Sequence, residues 1–402
     1  MSNHSFDNKV SPETYLCHGP FDPDVFGGVV NPPVYHASTV IFKNCKELEN
    51  RHHALFENDE DEILYYGRYG TPITFAIQKA LAELEGGYRS LLVPTGLAAC
   101  TSALLALVKK DDHILVSSSV YGPTRVFVNN VLSKMGVSVT FFAPNIGPEI
   151  TELFQPNTTV VFTESPGSQT FDIQDIPAIT RIAHKRNAKV IIDNTWATPL
   201  FFKPFTHGVD VSVHAATKYI VGHSDAQMGL ITANKETWPA ISNFVRLFGL
   251  HAAPDDVYLA QRGLRTMSLR LERHQASALK IAQWLSQRYE VEQVLHPALP
   301  SCPGHEIWKR DFIGSSGLFS VVLKSLYTKT AVEQFIDKLE YFGIGFSWGG
   351  FESLAIPFDP RKDRPEYLWP YNGPSFRLQI GLEDPNDLIK DLDQAFHYLD
   401  TY

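Results

Sequence analysis

Between Thr71 and Asn194 short, continuous apolar runs alternate with longer stretches of helical period, and this alternation constrains the chain more than any other feature. Thr71-Pro72 reads as an N-cap with proline at the first helical position, Ile73, Ile77, Leu81 and Leu84 form an apolar stripe, and Gly86-Gly87 stops the helix. Strands are then expected at Ser90–Val93, His113–Ser117, Val137–Phe142, Thr159–Thr163 and Lys189–Ile192, with helices at Leu97–Val108, Pro123–Met135 and Ile176–Arg186. Strands of this kind carry no polar face, so both faces need helices over them. The order of elements therefore predicts an α/β fold with a doubly wound, mainly parallel sheet.

The pattern differs at both ends. Residues 1–65, with Pro12, Pro20, Pro23, Pro32 and Pro33, read as an extended arm with one short helix near Cys45–His53, better suited to wrapping a partner than to forming a core. Residues 66–264 form the expected large α/β domain. From 265 to 402 a helix over Leu271–Arg288, strands at Gly317–Leu323 and Ser375–Ile380, and helices at Ala331–Phe342 and from Asn386 suggest a smaller C-terminal α+β domain.

Composition narrows the function. With 35 basic and 44 acidic residues the net charge is -9 and there is no basic run, which argues against nucleic acid as a partner. Leu97–Val108 is broken by Thr101 and Ser102 and falls short of the ~20 residues of a membrane span. Met1-Ser2-Asn3-His4-Ser5 has no secretion-signal pattern. Cys17, Cys45, Cys100 and Cys302 are scattered without CxxC, and no HExxH occurs, so neither a disulfide framework nor a metal site is expected; a reducing cytoplasm fits.

Two groups at strand ends carry the chemical argument. Asp193 closes Lys189-Val190-Ile191-Ile192-Asp193, and Lys218 follows Val209-Asp210-Val211-Ser212-Val213, so both belong at the edge where open α/β sheets bind ligands. A lysine amine to condense with an aldehyde and an acid for a pyridine nitrogen are what pyridoxal phosphate needs. Pro94-Thr95-Gly96-Leu97-Ala98 lies between a strand and a helix, where the N–H groups of Gly96 and Leu97 could hold a phosphate, and Thr217 could add a hydroxyl. GxGxxG, the P-loop and GxSxG are absent, which disfavours nucleotide and serine-hydrolase chemistry.

Tyr66-Gly67-Arg68-Tyr69-Gly70-Thr71-Pro72, Glu164-Ser165-Pro166, Asp193-Asn194-Thr195, Ala216-Thr217-Lys218-Tyr219, Arg262-Gly263-Leu264-Arg265-Thr266 and Ser347-Trp348-Gly349-Gly350-Phe351-Glu352-Ser353 together resemble the Cys/Met-metabolism family of pyridoxal-phosphate enzymes. The resemblance runs from about residue 10 to the C-terminus and implies the PLP-dependent transferase-like fold, fold type I. It implies that Lys218 carries the cofactor and moves protons, that Asp193 keeps the pyridine nitrogen protonated and that Tyr121 stacks on the ring. Gly96, Leu97 and Thr217 match the phosphate cup, and Tyr66 and Arg68 match residues that reach a neighbouring subunit's phosphate. Arg377 matches the clamp for the substrate carboxylate, with Ser347, Trp348 and Tyr66 also at the substrate.

The implied activity is β-elimination of L-cystathionine to homocysteine, pyruvate and ammonia by a homo-oligomer, a tetramer whose sites are shared across a dimer. Family relatives acting at the γ-carbon resemble Glu-Ser-Leu where this chain has Phe346-Ser347-Trp348. Cystathionine γ-synthase or γ-lyase, a cysteine desulfhydrase and an idle scaffold on the same fold are the alternatives. Two departures from the family pattern are Ala215, where many members have serine, and Ser168, where many have asparagine near the cofactor's hydroxyl.

Overall fold

The computed structural model describes residues 10–19, 22–60, 62–362, 364 and 367–399; the opening segment Met1–Ser5 and Pro20 lie outside them. Seven strands form the larger sheet: β1 (Arg89–Val93), β2 (His113–Ser117), β3 (Ser138–Phe142), β4 (Thr158–Glu164), β5 (Lys189–Asp193), β6 (Val211–Ala215) and β7 (Gly229–Ala233). Their order is β1-β7-β6-β5-β4-β2-β3. Strands β3, β2, β4, β5 and β6 are mutually parallel, while β7 runs antiparallel to both β6 and β1. Successive residues of β5 serve opposite faces. Ile191 packs with Val93, Ile114 and Phe162 under the helix Gly96–Leu107, whereas Val190 and Ile192 pack with Leu115, Val161 and the helix Ile176–Lys185. Helices thus cover both faces, as the all-apolar strands require.

The smaller sheet has β8 (Val291–Leu295), β9 (Leu318–Leu323), β10 (Phe342–Gly343), β11 (Ser353–Phe358) and β12 (Ser375–Gln379), in the order β10-β11-β12-β9-β8. One helix, Met267–Leu285, ties the two cores together. Its Met267 and Leu271 are buried against Tyr219 and Leu264, while its Ala278, Ile281 and Leu285 join Phe319, Phe335 and Phe376 over the smaller sheet.

Several expectations need correction. The helix expected over Pro123–Met135 begins at Gly122, is α-helical only to Phe127, and widens into a π turn over Val128–Leu132 before Gly136 caps it with φ +83. The helix expected over Ala331–Phe342 covers Lys329–Asp337, and Phe342 opens β10, because the apolar pattern does not mark the turn at Lys338–Glu340. The arm is also not wholly free of its own chain. Its first helix, Pro12–His18, buries Tyr15 and Leu16 against the large core.

A buried ionic network locks the first helix of the large sheet to the strands that carry the site. Glu85 ends the helix Pro72–Glu85, and its Oε1 accepts hydrogen bonds from Ser212 (2.8 Å) and Asn194 (3.3 Å) and pairs with His214 Nε2 at 2.6 Å. Both members of that pair are at most 1% exposed. Burial raises the Glu85 carboxyl, but the charge and hydrogen bond of His214 overcome it and hold the group below its ordinary value. Removing one member of a buried pair strands the other, at a typical cost of about 3–5 kcal/mol. Glu85→Ala is therefore expected to lose about that much stability in chemical denaturation; a loss under about 1 kcal/mol would show that the pair contributes no more than a surface one.

Candidate active site

The C-terminal ends of β4, β5 and β6 lie side by side and place Glu164, Asp193 and the turn holding Lys218 at one edge. Asp193 is met by hydrogen-bond donors rather than a cation: Thr195 N–H donates to Oδ1 at 3.0 Å, the Thr195 hydroxyl donates to the same oxygen, and the Cys100 thiol approaches Oδ2 at 3.7 Å. Burial pushes the carboxyl up, against the pull of these donors and of the more distant His214. An acid in that position is suited to a cationic ring nitrogen, which would remove the penalty.

Lys218 is held by its backbone in the turn after β6, its N–H donating to Ala215 O at 3.0 Å. Its Nζ donates to Ser347 Oγ at 2.6 Å and lies 5.4 Å from the centre of the Trp348 ring. Burial, with the Arg377 charge next, pulls the ammonium down to about 8, while Asp193 acts in the other direction. The smaller sheet carries Arg377, the residue expected as the carboxylate clamp. Arg377 sits in β12 between Ile356 and Ser320 and is 8% exposed, so it is not a surface strand arginine. One guanidinium nitrogen donates to Ser347 O at 3.0 Å, and the buried Nε has no partner among the described residues. Ser347 therefore faces both groups, its hydroxyl toward Lys218 and its carbonyl toward Arg377, from a backbone held at φ +79.

The expected phosphate cup is a capped helix start beside β6. Thr95 caps the helix Gly96–Leu107 by accepting from Ala98 N–H at 3.0 Å, and its carbonyl takes Ala99 N–H. The N–H groups of Gly96 and Leu97 remain for an anion. A Cβ at Gly96 would lie 2.4 Å from Ala215 Cβ, so glycine is what lets this turn close onto β6. Thr217 is turned elsewhere: its hydroxyl lies 3.2 Å from Met228 O and accepts Met228 N–H at 2.9 Å, and it would have to release that carbonyl to donate to a phosphate.

Tyr121 is 44% exposed beside this edge, and its N–H donates to Glu164 Oε2 at 2.6 Å. Burial raises its phenol, as do the nearby Cys100, Asp193 and Glu164, while Arg377 lowers it; the ring thus lies in the field of the same groups. Tyr66 and Arg68 are not brought to Lys218 by their own chain. Arg68 donates to Arg246 O and Tyr69 Oη, both at 2.9 Å, and stacks on the Tyr69 ring, while Tyr66 is 40% exposed. Phe346, the apolar residue standing where relatives acting at the γ-carbon resemble glutamate, is 88% exposed, whereas Trp348 packs its ring 5.5 Å from that of Tyr219.

The sequence reading treated Glu164 only as part of a motif. The signal was there: Glu164 ends a strand one place before Asp193 in a parallel sheet, and neighbouring parallel strands present their ends together. Among the described residues no group of three or more His, Cys, Asp and Glu could hold a metal, and no helix is long and apolar enough to cross a membrane.

The sequence pattern of the Cys/Met metabolism PLP-dependent enzymes matches residues 13–397. The chain belongs to that family. Cystathionine beta-lyases of Haemophilus influenzae and Escherichia coli K12 are 44% and 43% identical to it, covering 96% and 92% of this chain and 98% and 94% of their own. L-alanine/L-glutamate racemase of Wolbachia pipientis wMel is 41% identical over 92% of this chain and 93% of its own. The crystal structure of metB from Corynebacterium glutamicum superposes with a TM-score of 0.88 at 29% identity, covering 98% of this chain and 99% of that one. Pyridoxal phosphate is accordingly the cofactor of this family enzyme, and the buried acid Asp193, the lowered lysine and the open helix N-terminus fit it.

A lysine ammonium at about 8 has a direct kinetic consequence. In the cofactor-free enzyme only the neutral amine attacks an aldehyde, so uptake of pyridoxal phosphate should quicken about tenfold per pH unit at low pH and level off above about 8. Stopped-flow absorbance measures this. An uptake rate still climbing steeply near the ordinary lysine value of about 10.4 would show that Lys218 is not held in this way.

Proposed function

We propose that this chain is a carbon–sulfur lyase that cleaves the Cβ–S bond of L-cystathionine, releasing homocysteine, pyruvate and ammonia. The observation that carries the reading is the Lys218–Ser347–Arg377 arrangement, in which one serine spaces a proton-accepting amine from a guanidinium with an unpartnered Nε. An amino acid whose carboxylate takes both faces of the Arg377 fork has its Cα held toward the lysine. The bound cofactor supplies an electron sink that makes the Cα–H bond acidic. Lys218 then takes the Cα proton, and Ser347 Oγ, its hydrogen-bond partner, keeps the amine aimed. Tyr121 would flank the ring, and Asp193 would hold the positive charge on its nitrogen.

Phe346 in place of a carboxylate favours β- over γ-chemistry, since a polar anchor for a longer substrate reach is missing. The loaded enzyme is expected to give pyruvate as the dominant 2-oxo acid from cystathionine; 2-oxobutyrate would move the assignment to the γ-carbon enzymes. The racemase relative favours a second reading, because removal and return of the same proton needs the same base and clamp. D-alanine from L-alanine at a rate matching cystathionine turnover would select it. Arg377→Ala should raise KM by about tenfold to a hundredfold, as loss of a charge-assisted pair does.

The exposed Tyr66, and an Arg68 that lies against Arg246 and not beside Lys218 of its own chain, support an enzyme completed by a second subunit, a symmetric dimer that pairs again into a tetramer. Cys17 and Cys45 are exposed free thiols, and Cys100 and Cys302 buried ones, which supports a reducing cytoplasm. Mixing Arg68→Ala with Lys218→Ala under subunit exchange should recover activity, because some sites then draw both intact residues. Proven exchange with no recovery would refute the shared site.

A further inference from the structure

Glu164 is the register partner of Asp193 on the neighbouring parallel strand, and both residues are half-buried at the edge of the site. Two acids so placed do not both ionise freely; the proton settles on the one whose charge is less well stabilised. Donors decide which. Asp193 accepts from Thr195 N–H and the Thr195 hydroxyl and is approached by the Cys100 thiol, whereas the Glu164 carboxyl accepts one N–H, that of Tyr121. Gln174 reaches Glu164 only at its backbone carbonyl.

Around Glu164, burial and the Asp193 charge outweigh the groups that favour its anion. Burial pushes Glu164 well up and Asp193 adds to it; the Tyr121 N–H and Arg364 oppose. Arg364 comes from the small domain's β11–β12 connection, but its guanidinium lies 3.4 Å from Thr170 Oγ1 and 3.5 Å from Val120 O, and Asp172 shares its charge. Cys100 is held as a neutral thiol by burial, and His214 favours the anion on Asp193, not on Glu164.

We propose that Glu164 is a positioning residue that stays a neutral carboxylic acid beside an ionised Asp193 and fixes the Tyr121 backbone through Oε2, so that Asp193 alone supplies the negative charge of the cofactor bed. The proposal rests on Asp193, Tyr121 and Lys218 holding pyridoxal phosphate. A single anion suits a single ring-nitrogen cation. A second would stay uncompensated, while the neutral acid still accepts the Tyr121 N–H and keeps that residue in place.

The test uses the cofactor-loaded enzyme and the variants Glu164→Gln and Glu164→Ala. An infrared difference spectrum, parent minus Glu164→Gln at neutral pH, should contain the carbonyl band of a protonated carboxyl; carboxylate bands in its place overturn the proposal. Glutamine keeps a neutral acceptor for Tyr121 N–H, so cofactor affinity should stay within about twofold and the pH titration of the bound cofactor's visible absorption should stay near that of the parent. Alanine removes the acceptor and should weaken cofactor binding about tenfold, the size of one lost hydrogen bond, with altered circular dichroism of the bound cofactor. A Glu164→Gln titration displaced by a full pH unit, or a Glu164→Ala protein that binds cofactor as the parent does, overturns it. If alanine prevents folding, the infrared comparison with glutamine still decides. Cofactor uptake that fails, or a borohydride adduct on a lysine other than Lys218, such as Lys235, sinks the underlying site as well.

Discussion

The placement of Glu164, Asp193 and Lys218 depends on three neighbouring strands, β4, β5 and β6, running parallel and ending together. Parallel strands with helices over both faces expose polar atoms only at their ends, so the edge beyond Glu164, Asp193 and Ala215 is where charged side chains can reach a ligand without breaking the core. The helix N-terminus at Gly96 opens beside β6 and adds free N–H groups where an anion would otherwise go unpaired. The lysine, the acid and the phosphate cup are thus three consequences of one sheet order.

The smaller sheet is needed for a different reason. Lys218 has no acid partner within the turn that carries it; its hydroxyl partner, Ser347, comes from the small domain, as does Arg377. The helix Met267–Leu285, with one end in each core, sets how the two meet. Behind the site the Glu85–His214 pair fixes the first helix of the large sheet to β6. Ser347 is itself a non-glycine residue at positive φ, an arrangement that costs energy and persists only where its neighbours hold it.

The strands that carry the site were legible as short β-branched runs, continuous in β5 and interrupted by Asp210 and Ser212 before Lys218, and Asp193 and Lys218 stood out because they follow such runs. Strand β7 was not legible. Gly229–Ala233 is as apolar as its neighbours, but nothing in a run of five residues states that it turns back antiparallel between β6 and β1. Phe346 stands out in the sequence as an apolar residue where relatives acting at the γ-carbon resemble glutamate, yet exposure is a property of what packs above it, and its own chain leaves it open.

The sequence by itself determined the alternation of strands and helices from Thr71 to Asn194, the lysine and acid at strand ends and the family motifs, because periodicity, caps and residue chemistry are local and survive in a string of letters. Only the tertiary structure decided that Glu164 stands abreast of Asp193, that Ser347 joins Lys218 to Arg377 across 129 and 30 residues of chain, and that Thr217 spends its hydroxyl on Met228. Those facts depend on strand register and on how two separate cores dock. Both are set by long-range packing, which no local pattern encodes.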